Sequence, residues 1–271
     1  MLIVAKAGGN VLKNALLKIT KNVREIIDRG NHLIFVHGGG AEVTFIAEKL
    51  GKKQSFVISP EGFRSRYTDV ETVEILNMVM SGKINKEIVL AFQSQGVQSI
   101  GLSGVDGCLL KAKKKEKMIV VDGRGRKRVV DAGFSGKICQ VNGELLRLLV
   151  KNGYVPVISP VAIGEGFELL NVDGDRAAAN IAGALKADKL VFLTDVNGVI
   201  LDGKLVREIK VSEIPDFLPK IGAGMSTKVH AALEALNMGA KEAIIASGLF
   251  DSPISSALQH ENGTVISCTK D

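Results

Sequence analysis

Tryptophan is absent from this 271-residue chain, tyrosine occurs twice, and aromatic side chains make up 4% of it. A core must therefore come from Ile, Val, Leu and Ala, which the 46% hydrophobic content supplies. No apolar run approaches the roughly 20 residues of a membrane-spanning helix. Met1-Leu2-Ile3-Val4 enters a strand directly, leaving no room for a signal peptide. These absences predict a cytoplasmic protein that does not associate with membranes. The three cysteines, Cys108, Cys139 and Cys268, form no Cys-x-x-Cys pair. Neither a disulfide framework nor a zinc site is expected, and each cysteine reads as a small buried hydrophobe. The four histidines also lack metal-binding spacing, so no protein metal site is expected.

Charge is less balanced. The formal net charge is +6, and much of the excess falls in Lys111–Lys117 and Arg124–Arg128. Such a surplus favours acidic ligands or partners. Nucleic acid is excluded as the expected partner, because the aromatic residues that stack single-stranded bases are missing nearby.

No Pro/Ser-rich linker divides the chain. Helical and strand patterns alternate instead. Leu16, Ile19, Val23, Ile26 and Ile27 recur at helical spacing before Gly30, and Leu33–Val36 then reads as a buried parallel strand. Val43, Ile46 and Leu50 mark one face of the next helix, and Thr68-Asp69-Val70-Glu71 has capping-box spacing. Ser99–Leu102, Val155–Ile158, Lys189–Thr194, Glu242–Ala246 and Thr264–Cys268 are further strands, and Thr227–Met238 is a late helix. Lys111–Val130 alternates charged and Val/Ile residues around Asp122-Gly123, which predicts a protruding hairpin. Repeated β-α alternation predicts an α/β fold with a mostly parallel sheet covered on both faces. A soft boundary near Asn171 separates an N-lobe, about 1–170, from a C-lobe, about 171–271.

Two apolar strands end at small residues where helices begin: Val4-Ala5-Lys6-Ala7-Gly8-Gly9 and the segment reaching His37-Gly38-Gly39-Gly40. Backbone N–H groups at such helix starts suit anionic oxygens, and Lys6 adds a point charge matched to phosphate. The P-loop pattern Gly-x-x-x-x-Gly-Lys-Ser/Thr is absent. Gly38-Gly39-Gly40-Ala41-Glu42-Val43 matches only half of a dinucleotide fingerprint. What remains is a different constellation. Lys228 follows Gly222-Ala223-Gly224-Met225-Ser226-Thr227, Asp175 closes Asn171-Val172-Asp173-Gly174-Asp175, and Thr194-Asp195-Val196-Asn197-Gly198 leaves a strand. Arg66 lies in Gly62-Phe63-Arg64-Ser65-Arg66-Tyr67-Thr68-Asp69.

In that order these motifs resemble the amino acid kinase family, and within it the N-acetylglutamate kinase-like branch. The resemblance runs from Lys6 to Gly263-Thr264-Val265. It implies a three-layer α/β/α sandwich in which the N-lobe binds the acceptor and the C-lobe binds ATP. Residue by residue, it places Lys6 and Lys228 on the transferring phosphoryl group, with Asp175 holding both. Gly8, Gly9, Gly39 and Gly40 would supply backbone donors, and Thr194, Asp195, Asn197 and Gly198 would line the nucleotide pocket. Arg66 and Asn171, with Gly39 and Gly40, would bind the acceptor. Mg²⁺ is expected with ATP, held by phosphate oxygens and water. The chain departs from Asn-x-Asn-Ala-Asp at Asp173.

The Arg66-Tyr67-Thr68-Asp69 form is similar to kinases of carrier-protein lysine biosynthesis. Those phosphorylate the side-chain carboxylate of 2-aminoadipate or glutamate attached to LysW, an acidic amino-group carrier protein. A basic rim suits such a partner, and the candidates are Arg64, Lys113, Lys114, Lys115, Arg124 and Arg126. Free N-acetylglutamate is the alternative acceptor. A nucleotide-binding relative without turnover is a third reading. Because the chain begins at its first strand, the resemblance further implies a homodimer without the N-terminal helix of arginine-inhibited hexamers.

Overall fold

The computed structural model describes residues 1–268. Eight strands form the central sheet, in the order Glu208–Lys210, Thr264–Ser267, Glu242–Ser247, Lys189–Thr194, Leu2–Ala7, His32–His37, Val155–Ser159, Ser99–Ser103. The first two of these run together and antiparallel to the other six. The strand β1, Leu2–Ala7, sits centrally, with Lys6 beside Val36 on one neighbour and Phe192 on the other. Alternation along β1 divides the core in two. Val4 joins the cluster that includes Ala177, Ala178 and Ile181, whereas Ile3, Ala5 and Ala7 face Val11, Ile19 and Val23. Period two therefore places Lys6 on the same face as Val4, toward the Ala-rich helix Gly174–Leu185. Residues 9–28 form α1, which follows β1, and residues 40–49 form α2, which follows the second strand β2, His32–His37. The sheet is thus covered on both faces, as the alternation predicts.

Several local expectations change. The basic stretch is not one hairpin. Leu110–Lys114 belongs to a separate four-stranded sheet with Gly136–Val141, Val161–Gly164 and Leu169–Asn171, and only Lys117–Val121 and Lys127–Asp131 form the hairpin. Alternation alone does not distinguish a strand that pairs with its sequence neighbour from one that pairs farther away. The expected capping box is a simple cap: Asp69 Oδ1 accepts from the Thr72 N–H. Thr68 instead accepts from Asn171 Nδ2 at 3.0 Å. In α2 the buried residues are Val43 and Ala47, and Leu50 is exposed because the helix ends before it. Cys139 and Cys268 are exposed and Cys108 is half-buried, against the expectation of burial. Cys139 follows Ile138 on its strand, and Ile138 takes the inward position.

A π-helical turn, Met78–Ile84, interrupts the helix running from Val70 to Ser94. It carries Met80 and Ile84 against the β2–α2 turn. A Cβ built on Gly39 would lie 2.2 Å from Ile84 Cδ1, so any larger residue there would have to displace the ends of the Ile84 and Met80 side chains.

Candidate active site

Lys6, Asp175 and Lys228 meet at the carboxyl end of the parallel strands, where open α/β sheets place ligands. Lys6 Nζ lies 2.7 Å from Asp175 Oδ1, and Lys228 Nζ donates to Oδ2 at 3.1 Å. Asp175 is free for this because Asp173, not Asp175, caps its helix, accepting from the Arg176 N–H at 2.9 Å. The helix bearing Lys228 starts at Ala223, earlier than its apolar spacing indicates, so Lys228 lies in the second turn rather than at the start.

Burial by itself would protonate Asp175, but the attraction of Lys6 and Lys228 outweighs it and holds the pKa below the usual carboxylate range. Burial likewise opposes the charge on Lys6, and Asp175 more than compensates, raising the lysine's pKa. Two ammonium groups on one carboxylate leave the cluster with a net positive charge. An added anion would neutralise it.

The cluster stands between two cavities. Lys6 lines a cavity of about 690 Å³ shared with Gly38–Gly40, Arg66, Asn171 and Gly174. Lys228 lines one of about 260 Å³ with Gly8, Gly9, Asn10, Gly40, Ala41, Thr194 and Asp195. The N-caps of α1 and α2 are Gly8 and Gly39, and neither end is closed by a side-chain hydrogen bond. Their first-turn N–H groups therefore remain donors for an anion. Asn197 and Gly198 do not line the smaller cavity. Gly198 turns at φ +135 against Thr264, whose Oγ1 accepts from the Val199 N–H.

In the large cavity Arg66 is buried yet pairs with no carboxylate among the described residues. Its guanidinium donates to Gly40 O at 2.7 Å, to Thr44 Oγ1 at 2.9 Å and to Gln54 Oε1. Burial, with the neighbouring Arg64, lowers its pKa. Arg64 lies 3.6 Å over the Phe56 ring. Arg64 and Lys115 line the mouth, whereas Lys113, Lys114, Arg124 and Arg126 lie outside the lining, with Lys114 over Phe134. Asp122 accepts from Arg124, Arg126 and Arg128 at the hairpin tip, and these bonds push its pKa down to about 2.

His37 is fully buried at the end of β2. Desolvation lowers its pKa to about 4, so the ring is neutral, with Asn85 Nδ2 3.2 Å from Nε2. In the matching tautomer Nδ1–H donates to Gly38 O at 3.2 Å, tying the ring to the glycine turn.

Arg176, Asn180 and Glu234 also line the large cavity, and the sequence reading did not single them out. Glu234 accepts from both Arg176 and Asn180, joining the Asp175 helix to the Lys228 helix. A contact between helices more than 50 residues apart leaves no local pattern.

Among the described residues no group of three or more His, Cys, Asp or Glu side chains could hold a metal ion. No helix among them is long and apolar enough to cross a membrane.

Known proteins resemble this chain in sequence and in fold. The chain is 46% identical over 266 residues to the [LysW]-aminoadipate/[LysW]-glutamate kinase of Sulfolobus acidocaldarius, covering 98% of this chain and 100% of that one. It is 44% identical to the protein of the same name from Saccharolobus solfataricus, covering 98% and 99%. Among solved structures, N-acetylglutamate synthase from Neisseria gonorrhoeae, complexed with coenzyme A and N-acetyl-glutamate, superposes with a TM-score of 0.83 at 23% identity. The match covers all of this chain and 60% of that one. Carbamate kinase from Giardia lamblia bound to AMP-PNP gives a TM-score of 0.71 at 20% identity, covering 99% and 98%. These two likenesses speak to the fold. The amino acid kinase pattern matches residues 1–247, and with relatives of such identity over nearly the whole length, the chain belongs to the amino acid kinase family.

Proposed function

We propose that this chain transfers the γ-phosphoryl group of ATP to the side-chain carboxylate of 2-aminoadipate or glutamate carried on the acidic protein LysW. The products are an acyl phosphate and ADP. The observation that carries this reading is the placement of Lys6 and Lys228 on the two oxygens of Asp175, each facing a different cavity. The acceptor class follows from relatives at 44–46% identity over nearly the full length.

The chemistry asks little of a general base. A side-chain carboxylate with a pKa near ~4.3 is already ionised at neutral pH. The protein's work is to hold two anions in line and neutralise charge spreading over the phosphoryl oxygens. In this reading the large cavity takes the acceptor. Arg66 and Asn171 orient it, and its carboxylate oxygen attacks the γ-phosphorus as the bond to the β,γ-bridging oxygen breaks. Lys6, Lys228 and the N–H groups at the starts of α1 and α2 meet the developing charge. The smaller cavity takes the phosphate end of the nucleotide, with Thr194 and Asp195 at its wall. In this reading the acceptor falls mainly to the N-lobe, about 1–170, and the nucleotide to the C-lobe, with residues of both lobes lining each cavity.

Magnesium belongs to this reading as the partner of the nucleotide phosphates. Asp175, the buried carboxylate nearest the lysines, has both oxygens committed to them, so it is not free as a metal ligand. The carrier would meet the basic residues Arg64, Lys115 and Lys137 that line the cavity, with the hairpin-tip arginines Arg124 and Arg126 as a further basic patch. A homodimer is part of the same reading, supported by Leu17 and Leu90, 70% and 66% exposed on two helices in contact.

Trapping the acyl phosphate with hydroxylamine tests the reading. Hydroxamate is expected with carrier-linked 2-aminoadipate or glutamate. Hydroxamate from free N-acetylglutamate alone would point to the arginine-pathway kinase instead. None with any acceptor, alongside ATP binding, would leave a nucleotide-binding protein.

A further inference from the structure

We propose that Phe63 is a positioning residue for phosphoryl transfer, clasping His230 across the cleft and so holding the turns that carry Lys228. The proposal rests on the phosphotransferase reading above and adds a residue pair to it.

Phe63 ends the short loop between the strands Phe56–Ile58 and Arg64–Arg66. The loop is closed on itself: the Ser59 N–H donates to Phe63 O at 2.9 Å, and the Gly62 N–H donates to Ser59 O at 2.9 Å. The Phe63 N–H donates to Ser59 Oγ at 3.3 Å. Its backbone is thereby fixed to the acceptor hairpin that carries Arg66. Its ring leaves the hairpin and meets His230, with centroids 6.0 Å apart and planes at 80°. That is the edge-to-face geometry aromatic pairs prefer. Burial, with the charge of Arg176, lowers the His230 pKa, so the ring meets Phe63 as a neutral aromatic.

The same loop also passes near the start of the helix. A Cβ built on Gly62 would lie 3.8 Å from the Ala223 methyl. Ala223 opens the helix, and His230 lies two turns on, roughly 10 Å farther at 1.5 Å per residue. Lys228 falls between this approach at Ala223 and the Phe63–His230 contact.

That stretch is anchored on its core side, where Ser226 and Val229 are buried, and its start lacks a side-chain cap at Gly222 and an acidic residue in the first turn. The ties of Glu234 to Arg176 and Asn180 come one turn after His230. A shift of about 1 Å at these turns would lengthen the 3.1 Å Lys228–Asp175 contact beyond a hydrogen bond, and displacements of that size can cost roughly 100-fold in rate. Seating the acceptor hairpin and placing Lys228 are therefore one event.

Hydrogen–deuterium exchange on the full chain tests the clasp without turnover. In Phe63→Ala, and equally in His230→Ala, the peptide spanning 222–231 should exchange several-fold faster, while β1 stays protected and Phe63→Tyr behaves as wild type. Unchanged exchange in both alanine variants overturns the proposal. In kinetics, Phe63→Ala should lower kcat about tenfold, with the KM for ATP within about twofold. The Phe63→Ala/His230→Ala double variant should be no worse than the single. An unchanged kcat with a raised acceptor KM would make Phe63 a mere wall of the cavity and also overturns it. If wild type yields no hydroxamate with any acceptor, the phosphotransfer reading fails, while the exchange result still decides the clasp.

Discussion

Lys6 Nζ lies 2.7 Å from Asp175 Oδ1, a contact between the central strand and the Ala-rich helix packed on it. Strand alternation puts the lysine on the helix-facing side, and the cap at Asp173 leaves the next acidic side chain free to receive it. Lys228 takes the other oxygen. Replacing Asp175 by Asn should lower hydroxamate formation by roughly two orders of magnitude and reduce stability by about 3 kcal/mol, because the buried Lys6 and the half-buried Lys228 lose their counter-charge. The Asp175 pKa is depressed, so its contribution is present above the unfolded value and lost as pH falls through the folded one. Acid unfolding of wild type should show this loss below about pH 4, and Asp175→Asn should lack it. Urea titrations across that range measure both.

His37 titrates in a separate window. Its folded pKa is about 4 against an ordinary 6.5, so between these values the unfolded chain binds the extra proton. Stability should fall as pH drops from about 6.5 to about 4, by about 3 kcal/mol in total. His37→Gln should flatten that part of the urea-midpoint profile. A variant as steep as wild type there would assign the slope to other groups.

Arg66 makes three neutral hydrogen bonds through a planar fork, lies over the Phe56 ring and meets no carboxylate among the described residues. Lysine cannot reproduce the fork. Arg66→Lys should raise the acceptor KM at least tenfold while the KM for ATP stays within about twofold. Equal changes in both would remove Arg66 from acceptor binding.

Asp122 gathers Arg126 and Arg128 at the hairpin tip, beyond the cavity lining. An Arg124→Glu/Arg126→Glu variant should raise the KM for a carrier-linked acceptor several-fold at low salt. The difference should shrink as ionic strength rises and the charges are screened. A salt-independent KM would argue against electrostatic docking.

Much of this architecture was legible in the residues. β1, β2 and Lys189–Thr194 announce themselves as short Val/Ile/Leu runs ending at small or polar residues. The pairing of Lys6 with Asp175 was legible through family resemblance rather than spacing. Other features required three dimensions. Whether Leu110–Lys114 pairs with Lys117–Val121 or with Gly136–Val141 depends on which apolar face is buried where, and Ala112 and Ile138 settle it by burying together. The start of the helix bearing Lys228 at Ala223 was not legible, because Gly222-Ala223-Gly224 has no apolar periodicity to mark it. Arg176, Asn180 and Glu234 act together only because two helices cross.

The most direct test of the paired-lysine arrangement compares ground-state and transition-state binding in Lys228→Ala. Affinity for ADP with aluminium fluoride and acceptor should fall by roughly 100-fold or more, in step with kcat/KM, while ATP affinity changes only several-fold. Equal losses for ATP and for the analogue, or no loss for either, would contradict a role for Lys228 in stabilising the migrating phosphoryl group.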